Sequence, residues 1–259
     1  MSKPLDNKIA IITAAGSGIG RACALKFAAQ GAVVAVNDID AGQAAATVKT
    51  IGDAGGRAVL AIADVTDADQ VANMVANTVE QFGHLDILFN NAGGAFPKAT
   101  HETGIDEYRR IVALNLDSTF YGIHAALPVM LRQRHGVILS TTSGAGLNVV
   151  LQLAAYGAAK AGVINLTKNI AVEYGHAGIR ANVISPGPMD TPGLRAWLDT
   201  VPGGAAAYAR QIPCGRLGTA EDIAHVAAFL ACDEAAFVNG VVVPVDGGIH
   251  AQLATPKID

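Results

Sequence analysis

The chain has little charge and few aromatic residues. Of its 259 residues, 15% are charged and 5% aromatic, and the net charge is −4. Nucleic acids and anionic membranes require clustered Lys and Arg, so neither is an expected partner. The three cysteines lie outside any C-x-x-C spacing, which predicts neither a disulfide framework nor a metal site. No hydrophobic signal region opens the chain and no apolar run approaches ~18 residues, so we expect a cytoplasmic protein.

Hydrophobic residues, in contrast, make up 51% of the chain, and alanine and glycine are abundant. This composition is sufficient for an extensive core with close helix-to-sheet packing. No linker, repeat or low-complexity tract interrupts it, so residues 1–259 are predicted to form a single domain. A surface poor in charge also favours burial by self-association.

Short apolar runs alternate with longer helical patterns along the whole chain, which predicts an α/β fold with a parallel sheet wound by crossover helices. The expected fold class is Rossmann-type and doubly wound, with a seven-stranded parallel sheet and helices on both faces. The predicted strands are 8–13, 32–37, 58–63, 87–90, 136–141, 180–185 and 241–245. The predicted helical segments are 20–30, 69–82, 105–133, 156–174 and 220–231.

Two segments depart from this regular pattern. Pro128 is expected to kink or break the long helical segment 105–133. The stretch 186–215 is rich in Pro and Gly, holds the lone Trp197, and predicts a mobile loop with a helix or two. Within it, residues 190–215 are a candidate substrate lid.

A glycine-rich turn, Thr13-Ala14-Ala15-Gly16-Ser17-Gly18-Ile19-Gly20, follows the first strand and opens a helix. Its backbone N–H groups can approach a pyrophosphate at the helix N-terminus. Asp38, 18 residues beyond Gly20, is placed to accept both adenosine ribose hydroxyls. Its carboxylate would repel a 2′-phosphate, and neither Ser17 nor Asn37 supplies a cation, so NAD is the expected cofactor. The alternative is that Asp38 is a turn or capping residue beside Asp40.

Tyr156 and Lys160 are four residues apart, and on a helix this spacing puts both side chains on one face. A neighbouring ammonium favours the phenolate and is expected to lower the pKa of Tyr156 toward the range of a general base. Ser143, thirteen residues upstream, closes the β-patterned run 136–143. The alternative is a solvated Lys160 beside a half-buried Tyr156.

With these motifs the chain resembles the short-chain dehydrogenase/reductase family over almost its whole length. The family pattern T-G-x-x-x-G-x-G maps onto residues 13–20, with Ala14 in place of the first glycine. Asp64-Val65 resembles the adenine contact, and Asn90-Asn91-Ala92-Gly93 resembles the family's N-N-A-G. Together, the glycine-rich turn and the resemblance imply cofactor contacts from Gly16, Ser17, Gly18, Ile19, Gly20, Asp38, Asp64, Val65, Asn91, Gly93, Tyr156, Lys160, Pro186, Gly187, Met189 and Thr191.

The resemblance also implies a catalytic set of Asn115, Ser143, Tyr156 and Lys160. Tyr156 would take the hydroxyl proton of an alcohol or return it to a ketone. Lys160 would hydrogen-bond the nicotinamide ribose, and Ser143 would donate to the reacting oxygen. Asn115 would hold a water that links Lys160 to solvent.

Further along, Ser185 to Pro192 resembles the family's P-G loop, in which Thr191 would bind the nicotinamide carboxamide. Met189 replaces the usual valine there and can reach the substrate. Residues 240–248 resemble the last strand and its D-G-G turn, which in relatives often lies at a tetramer interface, so a homotetramer is expected.

Mostly apolar side chains are expected around the substrate, which favours a hydrophobic secondary alcohol or ketone, cyclic or aromatic. The alternative is that several of them fill core or interface. The candidate substrate contacts are Ser143, Ala145, Val150, Tyr156, Met189 and Trp197. Four further residues are expected to border the substrate: Leu147, Val149, Leu151 and Leu194.

Other activities of similar proteins remain as alternatives. A 3-oxoacyl reductase could dock an acidic carrier through Arg132 and Arg134, although such reductases more often use NADPH, against Asp38. A UDP-sugar epimerase would need a longer C-terminal domain, and enoyl reductases space tyrosine and lysine more widely. A non-catalytic NAD sensor or scaffold would have little need of all four catalytic residues.

Overall fold

The structure, a computed structural model, describes residues 3–252. Its centre is a seven-stranded parallel sheet with the order β3-β2-β1-β4-β5-β6-β7. The strands are β1 Ile9–Ile12, β2 Val33–Val36, β3 Arg57–Leu60, β4 Ile87–Asn90, β5 Gly136–Thr141, β6 Ile179–Pro186 and β7 Val242–Val245. The chain reverses its direction of winding between β1 and β4, which opens a crevice at the carboxyl ends of these strands. All seven predicted strands are confirmed, with small shifts at their ends.

Ten α-helices lie within the described residues: α1 Gly18–Ala29, α2 Ala41–Asp53, α3 Ala68–Phe82, α4 Ile105–Val112, α5 Ser118–Gln133, α6 Gly144–Leu147, α7 Ala154–Tyr174, α8 Pro192–Leu198, α9 Gly204–Ala209 and α10 Ala220–Ala231. Short 3-10 turns occur at Thr100–Glu102, Gly175–Ala177, Asp233–Ala235 and Ile249–Ala251. The sequence pattern misses α2. This helix buries just Ala44, Thr47 and Ile51, and Val48 and Ile51 are its two large apolar side chains.

The predicted break at Pro128 is wrong. Helix α5 runs unbroken through Pro128, and the irregularity lies earlier, in a π-helical turn at Ala113–Asp117. Pro128 is on the exposed side of α5, where water can hydrogen-bond the freed carbonyl, while Ala126 and Met130 remain buried against the sheet.

Both faces of the sheet are covered at its centre, so β1 and β2 are apolar and buried throughout rather than alternating, whereas the edge strands β3 and β7 are partly exposed. Ala10 and Ile12 of β1 face a core shared with α1, α2 and α10, whereas Ile9 and Ile11 face a core shared with α3, α5 and α7. Small residues on α1 and α10 let these two helices pack closely around Phe27, which is fully buried. None of the helices within residues 3–252 is long and apolar enough to cross a membrane.

Candidate active site

A cleft of about 400 Å³ opens at the carboxyl ends of the central strands, where the winding reverses. Its lining comprises Ala14, Ser17, Gly18, Ile19, Asn91, Gly93, Thr141, Thr142, Ser143, Tyr156, Lys160, Pro186, Gly187, Pro188, Met189, Thr191 and Leu194. A larger hollow of about 520 Å³ near the opposite end of the sheet contains none of the predicted catalytic residues. Three predicted catalytic residues, Ser143, Tyr156 and Lys160, therefore converge on the first cleft, whereas Asn115 lies outside its lining.

The glycine-rich turn forms one wall of this cleft. Ala14, in place of the first motif glycine, has φ 49°, a left-handed conformation that costs an alanine about 1 kcal/mol. Gly20 cannot be replaced, because an added Cβ would lie 2.1 Å from the carbonyl oxygen of Ala14. Ser17 begins α1 without a side-chain cap, and the first turn of α1 holds no acidic residue. The helix N-terminus is therefore open toward the cleft.

Asp38 lies beside this turn and is already hydrogen-bonded. Its Oδ2 accepts from the N–H of Gly16 at 2.9 Å, and its Oδ1 accepts from the N–H of Asp40 at 3.0 Å. These contacts are those expected if Asp38 is a turn residue beside Asp40, which was the alternative to a ribose contact. They also fix the carboxylate next to the glycine-rich turn. Five predicted cofactor residues lie outside the lining of the cleft: Gly16, Gly20, Asp38, Asp64 and Val65.

Asp64 and Val65 follow β3 at the far side of the crevice. The Oδ1 of Asp64 accepts from both the N–H and the hydroxyl of Thr66, at 2.9 and 2.7 Å. The N–H of Asp64 donates to Gln70, and Val65 is buried. This network fixes the orientation of the carboxylate.

Asn91 braces neighbouring strands. Its N–H donates to the hydroxyl of Thr13 at 2.9 Å, its Nδ2 donates to the carbonyl of Thr13 at 3.2 Å, and its Oδ1 accepts from Thr141 at 3.1 Å. Gly93 must remain glycine, since an added Cβ would lie 2.6 Å from Oδ1 of Asn115 and 2.7 Å from Nζ of Lys160. Asn115 and Lys160 thus meet at the backbone of Gly93.

Asn115 lies in the π-helical turn and is fully buried. Its Oδ1 accepts from the N–H of Gly94 at 2.8 Å, and its Nδ2 donates to the carbonyls of Gly94 and Ile111, both at 2.9 Å. The π-helical turn widens the helix at Asn115. The Asn115 side chain is hydrogen-bonded to Gly94 and so holds the loop that follows β4. π-turns of this kind are frequent at functional sites.

Lys160 lies on α7 with 2% of its surface exposed. Its Nζ donates to the carbonyl of Thr141 at 3.0 Å, and its own carbonyl accepts from the hydroxyl of Thr142 at 2.8 Å. Burial lowers the pKa of Lys160 to about 8, because desolvation disfavours the ammonium. The alternative of a solvated Lys160 is therefore wrong.

Tyr156 is half-buried one turn before Lys160, with the lysine Nζ 5.8 Å from its ring centroid. Burial raises the pKa of Tyr156, and a side-chain hydrogen bond with Ser143 partly offsets this rise. The expected lowering of this pKa by Lys160 is not found, because Nζ points to the carbonyl of Thr141 and desolvation of the phenol dominates. Ser143 also accepts from the N–H of Ala145 at 3.2 Å as the N-cap of α6.

Two predicted residues, Met189 and Thr191, close the cleft on the side of the lid segment. Met189 is buried, and its side chain packs against Gly218, where an added Cβ would lie 2.4 Å from its terminal methyl. The hydroxyl of Thr191 accepts from the N–H of Leu194 at 3.2 Å and caps α8. Thr191 therefore already has a structural role at the start of α8.

Three expected substrate contacts, Ala145, Val150 and Trp197, do not line the cleft. Ala145 is buried in α6, and Val150 lies in an exposed loop. Trp197 is 42% exposed and packs edge-on against Tyr208, with ring centroids 6.3 Å apart. The sequence places Trp197 in the lid segment but does not show which way its ring faces.

Four lining residues are not predicted as contacts: Ala14, Thr141, Thr142 and Pro188. Thr141 ends β5 and Thr142 directly precedes Ser143, so their position beside a predicted catalytic residue is a usable signal. Leu194, expected to border the substrate, does line the cleft, whereas Leu147, Val149 and Leu151 do not.

A backbone bridge ties the two ends of the lid segment together. The N–H of Asp190 donates to the carbonyl of Gly218 at 2.7 Å, and the N–H of Gly218 donates to the carbonyl of Pro188 at 2.9 Å. An ion pair joins Asp190 to Arg195, and a second joins Arg216 to Asp222 at 2.7 Å. The segment is thus a closed loop over one side of the cleft.

Comparison with known proteins agrees with this geometry. A family model described as enoyl-(acyl carrier protein) reductase matches residues 13–250. Cyclohexanol dehydrogenase from Acinetobacter sp. (strain SE19) is 40% identical over 254 residues, which cover 97% of this chain and 98% of that protein.

Solved structures agree as well. The crystal structure of levodione reductase superposes with a TM-score of 0.92 at 36% identity, covering 96% of this chain and 99% of that one. A 7 alpha-hydroxysteroid dehydrogenase, complexed with NADH and 7-oxo glycochenodeoxycholic acid, gives a TM-score of 0.89 at 36% identity, covering 94% of each chain. The chain therefore belongs to the short-chain dehydrogenase/reductase family and is an oxidoreductase of that family.

Proposed function

We propose that the protein interconverts a hydrophobic secondary alcohol and its ketone with NAD as cofactor and Tyr156 as the general base and acid. The observation that carries this proposal is the convergence of Ser143, Tyr156 and Lys160 in the cleft that the glycine-rich turn also lines. A hydroxyl donor, a phenol that can act as a base once ionised, and a neighbouring ammonium suit the deprotonation of an alcohol.

The residues around the cleft fit a dinucleotide. The N-terminus of α1 is uncapped and faces the cleft through Ser17, Gly18 and Ile19, which suits a pyrophosphate. Gly18 has φ 52° and nothing within 4 Å of an added Cβ, so its backbone is accessible from the cleft. Asp38, held beside Gly16, favours a ribose with free hydroxyls over one carrying a 2′-phosphate. When bound, the nicotinamide accepts or returns the hydride.

Each catalytic residue has a distinct role in this proposal. Tyr156 takes the alcohol proton, and Ser143 donates a hydrogen bond to the reacting oxygen. The ammonium of Lys160 lies near the phenol and stabilises the phenolate once it forms, although burial of the free tyrosine opposes ionisation. Asn115 positions the loop at Gly94, and its proposed water would connect Lys160 to solvent.

A cyclic alcohol is the substrate class that we favour. The names of the relatives refer to cyclohexanol and levodione, and one structural neighbour holds a steroid ketone. In this chain Met189 and Leu194 supply apolar surface beside Ser143 and Tyr156. Tyr156 and Lys160 are one helical turn apart, a spacing that favours carbonyl chemistry over enoyl reduction, for which the pair is more widely separated.

Assembly and organisation complete the proposal. We propose a single domain whose residues 190–215 act as the substrate lid, and a cytoplasmic homotetramer. Large apolar side chains support self-association, since Phe237 and Val172 are almost fully exposed and Phe120 and Phe229 are about half exposed. Light scattering at micromolar concentration should give the mass of four chains, and a monomer would contradict the tetramer.

The proposed reaction is tested by a substrate panel. Cyclic and acyclic secondary alcohols, their ketones and a 3-oxoacyl thioester are each assayed with NAD(H) and NADP(H), scored by the absorbance of the reduced nicotinamide. We expect turnover of cyclic alcohols with NAD. Turnover confined to the thioester with NADPH would instead favour the 3-oxoacyl reductase.

A further inference from the structure

Two helices begin beside Gly16, and their N-termini differ. Helix α1 starts at Ser17 without a side-chain cap. The first turns of α2 pack directly against the glycine-rich turn, because the Cβ of Gln43 lies 2.7 Å from a Cβ added to Gly16. The hydroxyl of Thr47 also donates to the carbonyl of Gly16 at 3.3 Å. Both helix dipoles therefore act on the same part of the crevice.

The N-terminus of α2 is closed by a carboxylate. Asp40 Oδ1 accepts from the N–H groups of Gly42 and Gln43 at 2.8 and 3.1 Å, and its Oδ2 accepts from Gln43 Nε2 at 3.0 Å. These hydrogen bonds hold the pKa of Asp40 below its usual value, so the cap is ionised at neutral pH. The donors that an anion could use at α2 are thus already occupied by a negative charge.

Asp38 is linked to this cap through the backbone. Its two oxygens accept from the N–H groups of Gly16 and Asp40. Replacing Asp38 with alanine would free both N–H groups for another anion, such as a 2′-phosphate. The carboxylate of Asp40 would still lie within the same turn and repel that anion.

We propose that Asp40 is a second determinant of cofactor preference, which excludes a 2′-phosphorylated dinucleotide by occupying and neutralising the N-terminus of α2. The inference rests on the proposed function, in which the adenosine ribose binds at Asp38. It implies that substitution of Asp38 alone does not remove the discrimination against NADP.

Isothermal titration calorimetry on the full chain tests this without relying on turnover. Dissociation constants for NAD and NADP are measured for the wild type, Asp38→Ala, Asp40→Asn and the double variant. Asparagine can still accept from the N–H groups of α2 through its amide oxygen, and it removes the charge together with the bond that Oδ2 accepts from Gln43 Nε2. Relative to Asp38→Ala, the double variant should bind NADP about fivefold more tightly at low ionic strength, with less gain at high salt. Its affinity for NAD should equal that of Asp38→Ala.

The chain supplies a matched control at α3. Asp67 caps that helix in the same way, accepting from the N–H groups of Asp69 and Gln70 at 3.0 and 3.1 Å and from Gln70 Nε2 at 2.9 Å. Asp67→Asn removes the same charge from an equivalent cap away from Gly16. We expect it to leave the ratio of NAD to NADP affinity unchanged in the Asp38→Ala background.

The outcomes separate the two proposals. Equal NADP affinity in Asp38→Ala and the double variant would overturn the role of Asp40 while leaving the NAD preference intact. An equal gain from Asp67→Asn would also overturn it, because the effect would then be general electrostatics. Tighter binding of NADP than NAD by the wild type would contradict the proposed cofactor, and the role of Asp40 with it.

Discussion

The proposed catalytic floor, formed by Asn115, Ser143, Tyr156 and Lys160, differs from the proposed lid at residues 190–215. In the floor, Asn115 and Lys160 are buried, and their polar atoms bond to backbone carbonyls and N–H groups of neighbouring elements. The lid consists of two short helices with Leu198 and Ile212 as its buried apolar anchors. In the proposed function, the reaction type is set by a region with buried polar groups, and substrate choice by a segment with few buried apolar side chains.

Removing the phenol of the floor is the largest expected effect. Tyr156→Phe should lower turnover roughly a thousandfold or more, because general acid–base catalysis is lost. The affinity for NAD, measured by calorimetry, should not change. Tyr174→Phe at the end of the same helix is the matched control and should keep full activity. Substantial turnover by Tyr156→Phe would eliminate Tyr156 as the base.

The buried charge of the floor should reduce stability. Lys160→Met replaces the ammonium with an apolar side chain of similar length, so the variant should be inactive yet melt at a higher temperature than the wild type at pH 7. Burial lowers the pKa of Lys160 from its ordinary 10.5 to about 8, a shift that corresponds to about 3 kcal/mol at most.

The pH dependence gives the sign of this effect. Above pH 8 the folded wild type loses the lysine proton while the unfolded chain keeps it up to its ordinary pKa, so wild-type stability relative to Lys160→Met rises with pH. Calorimetric melts between pH 7 and pH 10 measure the difference in melting temperature between Lys160→Met and the wild type, which should become smaller as pH rises. A difference in melting temperature that does not change with pH would show that the buried charge of Lys160 does not destabilise the folded protein.

The lid should affect substrate binding rather than chemistry, by a smaller amount. Leu194 lines the cleft whereas Trp197 packs against Tyr208, so Leu194→Ala should lower kcat/KM for a cyclic alcohol about tenfold and Trp197→Ala by less. Steady-state kinetics at saturating NAD measures both. A larger effect of Trp197→Ala would mean that the ring turns into the cleft when substrate binds.

The smallest effect is expected at Ala14. Ala14→Gly relieves the left-handed conformation at φ 49° but increases the entropy of the unfolded chain, so a net gain of about 0.5 kcal/mol is expected. Urea unfolding with NAD absent measures it. A net loss of stability would show that this turn tolerates alanine without strain.

The same contrast explains what the sequence could predict. The seven strands are predictable because the central strands are buried and their apolar runs are continuous. The four floor residues are predicted by motif and resemblance, and three of them line the cleft. Helix α2 is not predicted, since it carries just two large apolar side chains, Val48 and Ile51, among alanines and polar residues.

Other features depend on contacts that no local pattern encodes. The position of the helix irregularity follows from the bonds of Asn115 to Gly94 rather than from Pro128. The pKa of Tyr156 depends on how deeply the phenol is buried, which the Tyr156–Lys160 spacing does not reveal. The direction of the Trp197 ring is likewise set by Tyr208.

Hydride transfer from the alcohol carbon is the central claim and can be followed directly. The wild-type protein is incubated with NAD and a cyclic secondary alcohol deuterated at its carbinol carbon, and the reduced cofactor is analysed by mass spectrometry. The account predicts reduced NAD carrying one deuterium, together with the ketone in equal amount. Reduced cofactor without deuterium, or no reduction of NAD by any secondary alcohol of the panel, would contradict it.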